Sequence, residues 1–251
     1  MTDDLKFSTT TPAQWDAFIG EHPNAHVLQQ WAWGDLKAAF GWEAERVALT
    51  NSKNEIVAAA QLLFRRLPFR LSTMAYLAMG PLVRQHSSSS GRGLPAANPF
   101  EADLWKAIDD VSRKHHAAFL KWEPGIFAGQ SSNNTSPISV LSTRYSALPT
   151  GFRPSPQTVQ PPNTVMIDIS GSEDAILARM NQGTRRKIRQ SLKNGITYRE
   201  GTMADVAIFT GMMNTTGERN EFGVHEPAYY QKAYDLFVPQ GDAALILAEH
   251  E

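Results

Sequence analysis

Apolar and polar positions repeat along this chain with two periods, and the switches between them mark its elements. Thr11-Pro12-Ala13-Gln14 opens a first helix: threonine can cap, proline suits the first turn, and Gln14 can close a capping box. Trp15, Phe18 and Ile19 then share one face, and His22-Pro23-Asn24 ends the helix. A second helix is expected over about 30–39, stopped by Gly41. Gln30, Trp33 and Lys37 fall on one face of it and Trp31 on another. On the residues alone both tryptophans read as core and Lys37 as solvated. Period-two alternation takes over at 43–50 and returns at 55–65, an antiparallel hairpin around the turn Asn51-Ser52-Lys53-Asn54. A third strand over 71–79 is closed by Gly80-Pro81. Residues 99–116 predict a helix with Leu104, Ile108 and Val111 on its dry side, and 117–123 a strand ended by Pro124-Gly125.

The second half opens differently. A proline-broken lead at 157–162 runs into a short apolar strand over 163–169, and Ser172-Glu173-Asp174 starts a helix. The next segment carries Arg185, Arg186, Lys187, Arg189 and Lys193, five cations within nine residues, and Asn194-Gly195 is a good stop. Met180, Ile188 and Leu192 lie at multiples of four and predict one apolar stripe; Arg186, Arg189 and Lys193 share another face. A strand over 196–200, helices over 204–218 and 227–237 and a strand over 243–249 follow, with Val206, Phe209 and Met213 facing inward.

Helix, helix, three strands, helix, strand predicts an α/β sheet with an antiparallel hairpin at its start, an order that resembles the N-acetyltransferase-like fold. From Ser172 the order begins again. Loops rich in Ser, Gly and Asn are expected at 86–98 and 129–149.

Composition narrows the chemistry. The 251 residues carry a net charge of −1, so any basic function must come from a local patch. There is no cysteine, which excludes disulfides, zinc–cysteine sites and thiol nucleophiles and fits a reducing cytoplasm. No run approaches the roughly eighteen apolar residues of a membrane span, and the acidic Met1-Thr2-Asp3-Asp4 start is no signal peptide. The seven histidines show no metal-ligand spacing, so no metal site is assigned. Neither a Gly-x-Ser-x-Gly elbow nor a nucleotide-binding glycine loop occurs; Gly91-Arg92-Gly93 is only a distant echo of a coenzyme A loop. The cation cluster reads either as a solvated face or as an anion site, since arginine forks match phosphate oxygens.

Two stretches carry a resemblance. Leu28-Gln29-Gln30-Trp31-Ala32-Trp33-Gly34-Asp35-Leu36-Lys37 with Gly41-Trp42 is one, and Gln160-Pro161, Thr164, Asp168, Met180, Thr184-Arg185-Arg186-Lys187-Ile188-Arg189 and Gly195 the other. Gly80-Pro81-Leu82-Val83 and Leu120-Lys121-Trp122-Glu123-Pro124 stand between them. Together they resemble the FemABX family, the aminoacyltransferases of peptidoglycan bridge formation, of the lipid II glycyltransferase type. The resemblance implies two N-acetyltransferase-like domains, here 1–150 and 151–251, the second incomplete because family members run on past Glu251. It implies transfer of an amino acid from aminoacyl-tRNA to the stem peptide of a UDP-linked or lipid-linked muramyl-pentapeptide, without coenzyme A or any other cofactor. A cytoplasmic protein with no transmembrane segment follows, and peripheral contact with the inner membrane face is compatible with a lipid-linked acceptor. The positions matching the family's phosphate-binding cations are Lys37 and Arg185, with Arg189 one turn on as support; Gln30 and Trp33 share Lys37's face and join the substrate-binding set. Arg186, Lys187 and Lys193 are candidates for tRNA phosphates, and no catalytic acid or base is assigned. The rival readings are an acyl-coenzyme A-dependent N-acyltransferase of the same fold and a non-enzymatic RNA-binding module. Against the latter, no aromatic residues interleave with the basic helix's cations.

Overall fold

The computed structural model describes residues 6–7, 9–23, 25–68, 72–84, 99–125, 151–161 and 167–250. The loops expected at 86–98 and 129–149 lie outside these residues, as does most of the strand expected at 163–169. The chain divides into two compact units, Met1–Gln160 and Pro161–Glu251.

The first unit is a mixed sheet flanked by helices. Its elements are β1 (Lys6–Phe7), α1 (Pro12–Glu21), a 3-10 turn at Val27–Gln29, α2 (Trp31–Ala38), β2 (Glu43–Thr50), β3 (Ile56–Arg66), β4 (Thr73–Ala78), β5 (Leu82–Val83), α3 (Pro99–Lys114) and β6 (Ala117–Glu123). The sheet order is β1-β2-β3-β4-β6, with β5 also on β3. Every pairing is antiparallel except β4 with β6, where α3 provides the crossover a parallel pair needs. The expected hairpin forms, with Val47 opposite Ala60. The capping box of α1 also forms: Gln14 N–H donates to Thr11 Oγ1, and Thr11 N–H to Gln14 Oε1.

Strand β3 holds the core because both its faces are covered. Ile56 to Phe64 are all buried, a continuous run rather than an alternation. Ala58, Ala60, Leu62 and Phe64 pack with Leu104, Trp105 and Ile108 of α3. Ala59 packs with Trp15, Phe18 and Ile19 of α1, and Leu63 with Leu28 and Tyr76. The run ends at Arg65-Arg66, where the strand meets solvent.

The sheet has a gap. Strand β4 pairs with β3 only at Leu63–Arg66, and β5 only at Ala58 and Ala59. The fully buried side chain of Gln29 fills the space between. Its Nε2 donates to Ala78 O at 2.5 Å, and its Oε1 accepts from Gln61 N–H at 2.9 Å. An amide side chain thus supplies the donor and acceptor that a neighbouring strand would have supplied.

The second unit contains α4 (Glu173–Arg179), α5 (Gln182–Lys193), β7 (Ile196–Glu200), a 3-10 turn at Met203–Asp205, α6 (Val206–Asn220), α7 (Pro227–Phe237) and β8 (Ile246–His250). Strands β7 and β8 form an antiparallel pair. Arg199 of β7 ties the unit together, binding Asp205 through two nitrogens and Glu249 of β8.

Two expectations are corrected here. Residues 167–169 form no strand: Asp168 accepts from the N–H and the hydroxyl of Ser170, a local turn that competes with a ladder. Met180 does not join an apolar stripe with Ile188 and Leu192. It caps the end of α4 with extended backbone, α5 begins afresh from Asn181, and Leu192 is 60% exposed. Inward packing on α6 falls to Val206, Thr210 and Gly217, with Phe209 and Met213 half-buried.

Candidate substrate-binding sites

Helix α2 is set on the sheet by polar contacts. Arg46 reaches up from β2, stacks on the Trp31 ring at 3.7 Å, and donates to Trp31 O and to Asp35 Oδ1 at 2.8 Å. Its Nε donates to Gln61 Oε1, while Gln61 Nε2 donates to Gln30 O at 2.9 Å. Gly34 permits this approach: a Cβ there would stand 2.4 Å from Gln61 Oε1 and 2.5 Å from Arg46 Nη2. A half-buried guanidinium with four hydrogen-bonding and stacking partners fixes the helix in rotation and height.

That rotation aims the Trp33–Lys37 face, with Gln30 as the cap before it. Lys37 Nζ sits 4.8 Å from the Trp33 ring centroid, in cation–π range. The backbone is latched at the same point, with Trp42 N–H donating to Lys37 O at 3.2 Å. Burial, and then the charge of Arg65, hold the Lys37 ammonium below its ordinary value of 10.5. Arg65 lies over the Trp42 ring at 5.4 Å, and Trp42 in turn contacts Tyr76 at 6.4 Å. Two neighbouring polar atoms are buried without a hydrogen-bond partner among the described residues: Gln30 Oε1 and Trp33 Nε1. Buried polar atoms are seldom left so. The structure brings Trp33 and Lys37 together on α2, while Gln30 stands before the helix as its cap, with extended backbone.

Behind this cluster Tyr76 donates to Glu123 Oε2 at 2.6 Å and accepts from Gln160 Nε2 at 3.1 Å. Glu123 also accepts the backbone N–H groups of Val159 and Gln160. Burial, reinforced by Glu123, pushes the Tyr76 phenol far up, so it stays a neutral donor. The carboxylate anchors residues 159–160 to the end of β6.

In the second unit α5 starts at an Asn181 cap, whose side chain accepts from Thr184 N–H. Arg185 is turned back on its own chain: it donates to Met180 O and, at 3.4 Å, to Ala178 O. It thus bonds carbonyls at the end of α4, where a cation is favoured. Arg186, Lys187, Arg189 and Lys193 are exposed and make no hydrogen bond or ion pair with any described residue. The second-unit cations therefore separate into one partly engaged guanidinium and four open charges.

Residues 10–251 match the family model of the FemAB family. The chain belongs to the FemAB family. The resemblance read from its two motif stretches is borne out. Among its relatives, the lipid II:glycine glycyltransferase of Staphylococcus saprophyticus is 28% identical over 236 residues, covering 94% of this chain and 54% of that protein. The lipid II:glycine glycyltransferase of Staphylococcus aureus is 27% identical over 239 residues, covering 95% and 54%. The chain spans about half the length of the curated relatives it matches. The crystal structure of FemX shares its fold with a TM-score of 0.74 at 24% identity, covering 98% of this chain and 58% of FemX.

Sequence reasoning passed over Arg65, which lies over the Trp42 ring. It reads as the last residue of an apolar strand, and only the pairing register shows which side of the sheet it leaves from. Tyr76 and the roles of Glu123 and Gln160 were missed for a similar reason, since their contacts span up to 84 residues of sequence.

Proposed function

We propose that this chain serves aminoacyl transfer in peptidoglycan bridge formation, moving an amino acid from aminoacyl-tRNA to an amine of a precursor's stem peptide. Membership of the FemAB family and relatives named lipid II:glycine glycyltransferases support the reaction class. The observation that carries the reading is Lys37, held on Trp33 beside a second cation and two unsatisfied buried polar atoms. Such a place suits an anionic group that also offers hydrogen bonds, and the phosphates of a muramyl-pentapeptide precursor have that chemistry.

In the proposed reaction the amine attacks the ester carbonyl of the aminoacyl-tRNA. The C–N bond forms, the C–O bond to the ribose breaks, and the proton lost by the amine ends on the released hydroxyl. The ester is already activated, so holding the two substrates in line and stabilising the oxyanion supply much of the rate. Lys37 and Arg185 are assigned to the precursor's phosphates, with Arg189 in support and Gln30 and Trp33 contacting the same substrate. Arg186, Lys187 and Lys193 are assigned to tRNA phosphates. Two N-acetyltransferase-like domains are the proposed frame. No described helix is long and apolar enough to cross a membrane.

The test is calorimetric titration of the chain with UDP-linked muramyl-pentapeptide, beside Lys37→Ala. The parent binds, and the substitution weakens binding by about 1.5–3 kcal/mol, the worth of a charged hydrogen bond. A parent that ignores the precursor and binds acetyl-coenzyme A instead refutes the reading in favour of a coenzyme A-dependent acyltransferase.

A further inference from the structure

We propose that Tyr198 is a stacking platform for the unpaired 3′ end of the RNA substrate, set beside the cations of α5. The inference rests on the aminoacyl-tRNA reading proposed above and deepens it, by naming where single-stranded bases meet the chain.

The basic helix has no aromatic residue of its own, but the fold brings one to it from the next strand. Tyr198 lies in the middle of β7, and its hydroxyl donates to Ser191 Oγ of α5 at 3.0 Å. Ser191 spends its own proton on Ile188 O at 2.7 Å. The phenol is thus tied, through a second hydroxyl, to the backbone of the helix that carries the charges. Even so, the residue is 53% exposed. With its polar tip bonded, it offers solvent a ring rather than a free hydroxyl. A side chain already held in place loses little freedom when a ligand stacks on it.

The sheet leaves room beside the ring. Side chains alternate across a strand, so Tyr198 shares its face of the β7–β8 pair with Ile196 and Glu200. Directly opposite Tyr198 is Ala248, and opposite Glu200 is Ile246, itself 58% exposed. A small residue across from the ring and an open isoleucine diagonal to it make an apolar floor. Charge lies next to that floor. Lys187 precedes Ser191 by one turn of α5, so it is on the side of the helix that meets Tyr198. It is exposed and makes no hydrogen bond or ion pair with any described residue. Arg186, Arg189 and Lys193 continue the charge around the helix. Glu200, at the end of the strand, disfavours phosphates there and keeps them to the helix side. Bases stacked on an exposed ring, with phosphates tracking neighbouring cations, are how proteins hold single strands without reading sequence. A duplex has its bases stacked inside and cannot use the ring. The platform therefore selects an unpaired end, which is the part of an aminoacyl-tRNA that carries the ester.

The experiment titrates the chain into two labelled RNA hairpins, one with an unpaired 3′ overhang and one blunt, and reads fluorescence anisotropy. Tyr198→Ala is expected to weaken the overhang hairpin about 5- to 100-fold, the worth of one stacked base, and to leave the blunt hairpin unchanged. Tyr198→Phe keeps the ring and is expected to keep most of the affinity. Lys187→Gln is expected to weaken both hairpins and to lower the salt slope by about one. Amide hydrogen exchange across β7 and β8 that matches the parent shows that the second unit is intact. An equal loss on both hairpins in Tyr198→Ala means the ring acts through structure, and overturns the platform. If Tyr198→Ala loses nothing while Lys187→Gln weakens both, RNA is held by charge alone: the platform is wrong and the proposed function stands. If Tyr198→Ala weakens UDP-linked muramyl-pentapeptide instead, the ring holds the precursor's uracil, and the RNA assignment is overturned. A parent that binds neither hairpin overturns both the platform and the aminoacyl-tRNA reading.

Discussion

Replacing Gln29 by leucine tests whether one side chain closes the gap in the sheet. Leucine keeps the volume and removes the amide. Two groups then lose their partner where water has no access: the Ala78 carbonyl, bonded at 2.5 Å, and the Gln61 N–H, bonded at 2.9 Å. Each buried orphan costs about 1–3 kcal/mol, so the sum is about 2–6 kcal/mol. The longer Nε2 contact to Gln61 O, 3.4 Å, is too weak to alter that range. A loss of this size is a large part of the roughly 5–15 kcal/mol that holds a domain together. Urea unfolding followed by tryptophan fluorescence reads it cleanly, because all six tryptophans, Trp15, Trp31, Trp33, Trp42, Trp105 and Trp122, lie in the first unit. Gln30→Leu is the internal control. Its Oε1 has no described partner, so leucine there leaves stability unchanged or raises it, while lowering affinity for the precursor. If Gln29→Leu shifts the unfolding free energy by less than about 1 kcal/mol at constant slope, the amide is not what joins β3 to Ala78.

Two pH effects follow from the same contacts. Burial works against ionisation of Glu45, but its bond to His115 Nε2 at 2.7 Å and the charge of Lys114 at 3.4 Å outweigh it, leaving the carboxyl below its ordinary 4.5. A depressed carboxyl contributes stability that is present above its unfolded value and lost as pH falls through the folded one. The stability gap between parent and Glu45→Gln should therefore narrow in acid below about pH 4.5, and a gap constant down to pH 3 would contradict the pairing. Lys37 runs the other way: its free-site value lies below 10.5, and bound phosphate favours the ammonium. Precursor affinity should fall as pH rises through that lowered value, with protons taken up on binding, and Lys37→Arg should flatten the profile; an identical profile in Lys37→Arg would remove Lys37 from the contact.

What the sequence disclosed was local. The capping box of Thr11 and Gln14, the hairpin turn at 51–54 and helix 227–237 are each decided by residues within a few positions, and each forms where expected. The contact of Trp33 with Lys37 follows from helical spacing, whereas Gln30, expected as the first helical residue, has extended backbone ahead of α2. The failures have a different character. The stripe through Met180 assumed one unbroken helix, but an asparagine cap at 181 starts a new one. Arg185 matches a phosphate-binding position by resemblance alone, and its bonds to the carbonyls ending the helix before it are a contact that its place in a basic run does not disclose. Arg65 could not be placed because its meaning depends on which side of β3 it leaves from.

The family motif at 28–42 shows why a resemblance can report a site without describing it. Its residues divide between two tasks. Gln29 belongs to the sheet, filling the gap between Gln61 and Ala78; Gly34 belongs to the contact with Arg46 and Gln61; Trp42 holds the Lys37 carbonyl by its N–H and carries Arg65 on its ring. Gln30, Trp33 and Lys37 are the residues of this stretch proposed to meet the precursor. A chain that kept Lys37 but lost Gln29 or Gly34 would present the same cation on a helix that no longer sits at the same height or rotation. Spacing within the motif is therefore a record of how α2 is mounted, and the charge at its end has meaning only on that mount.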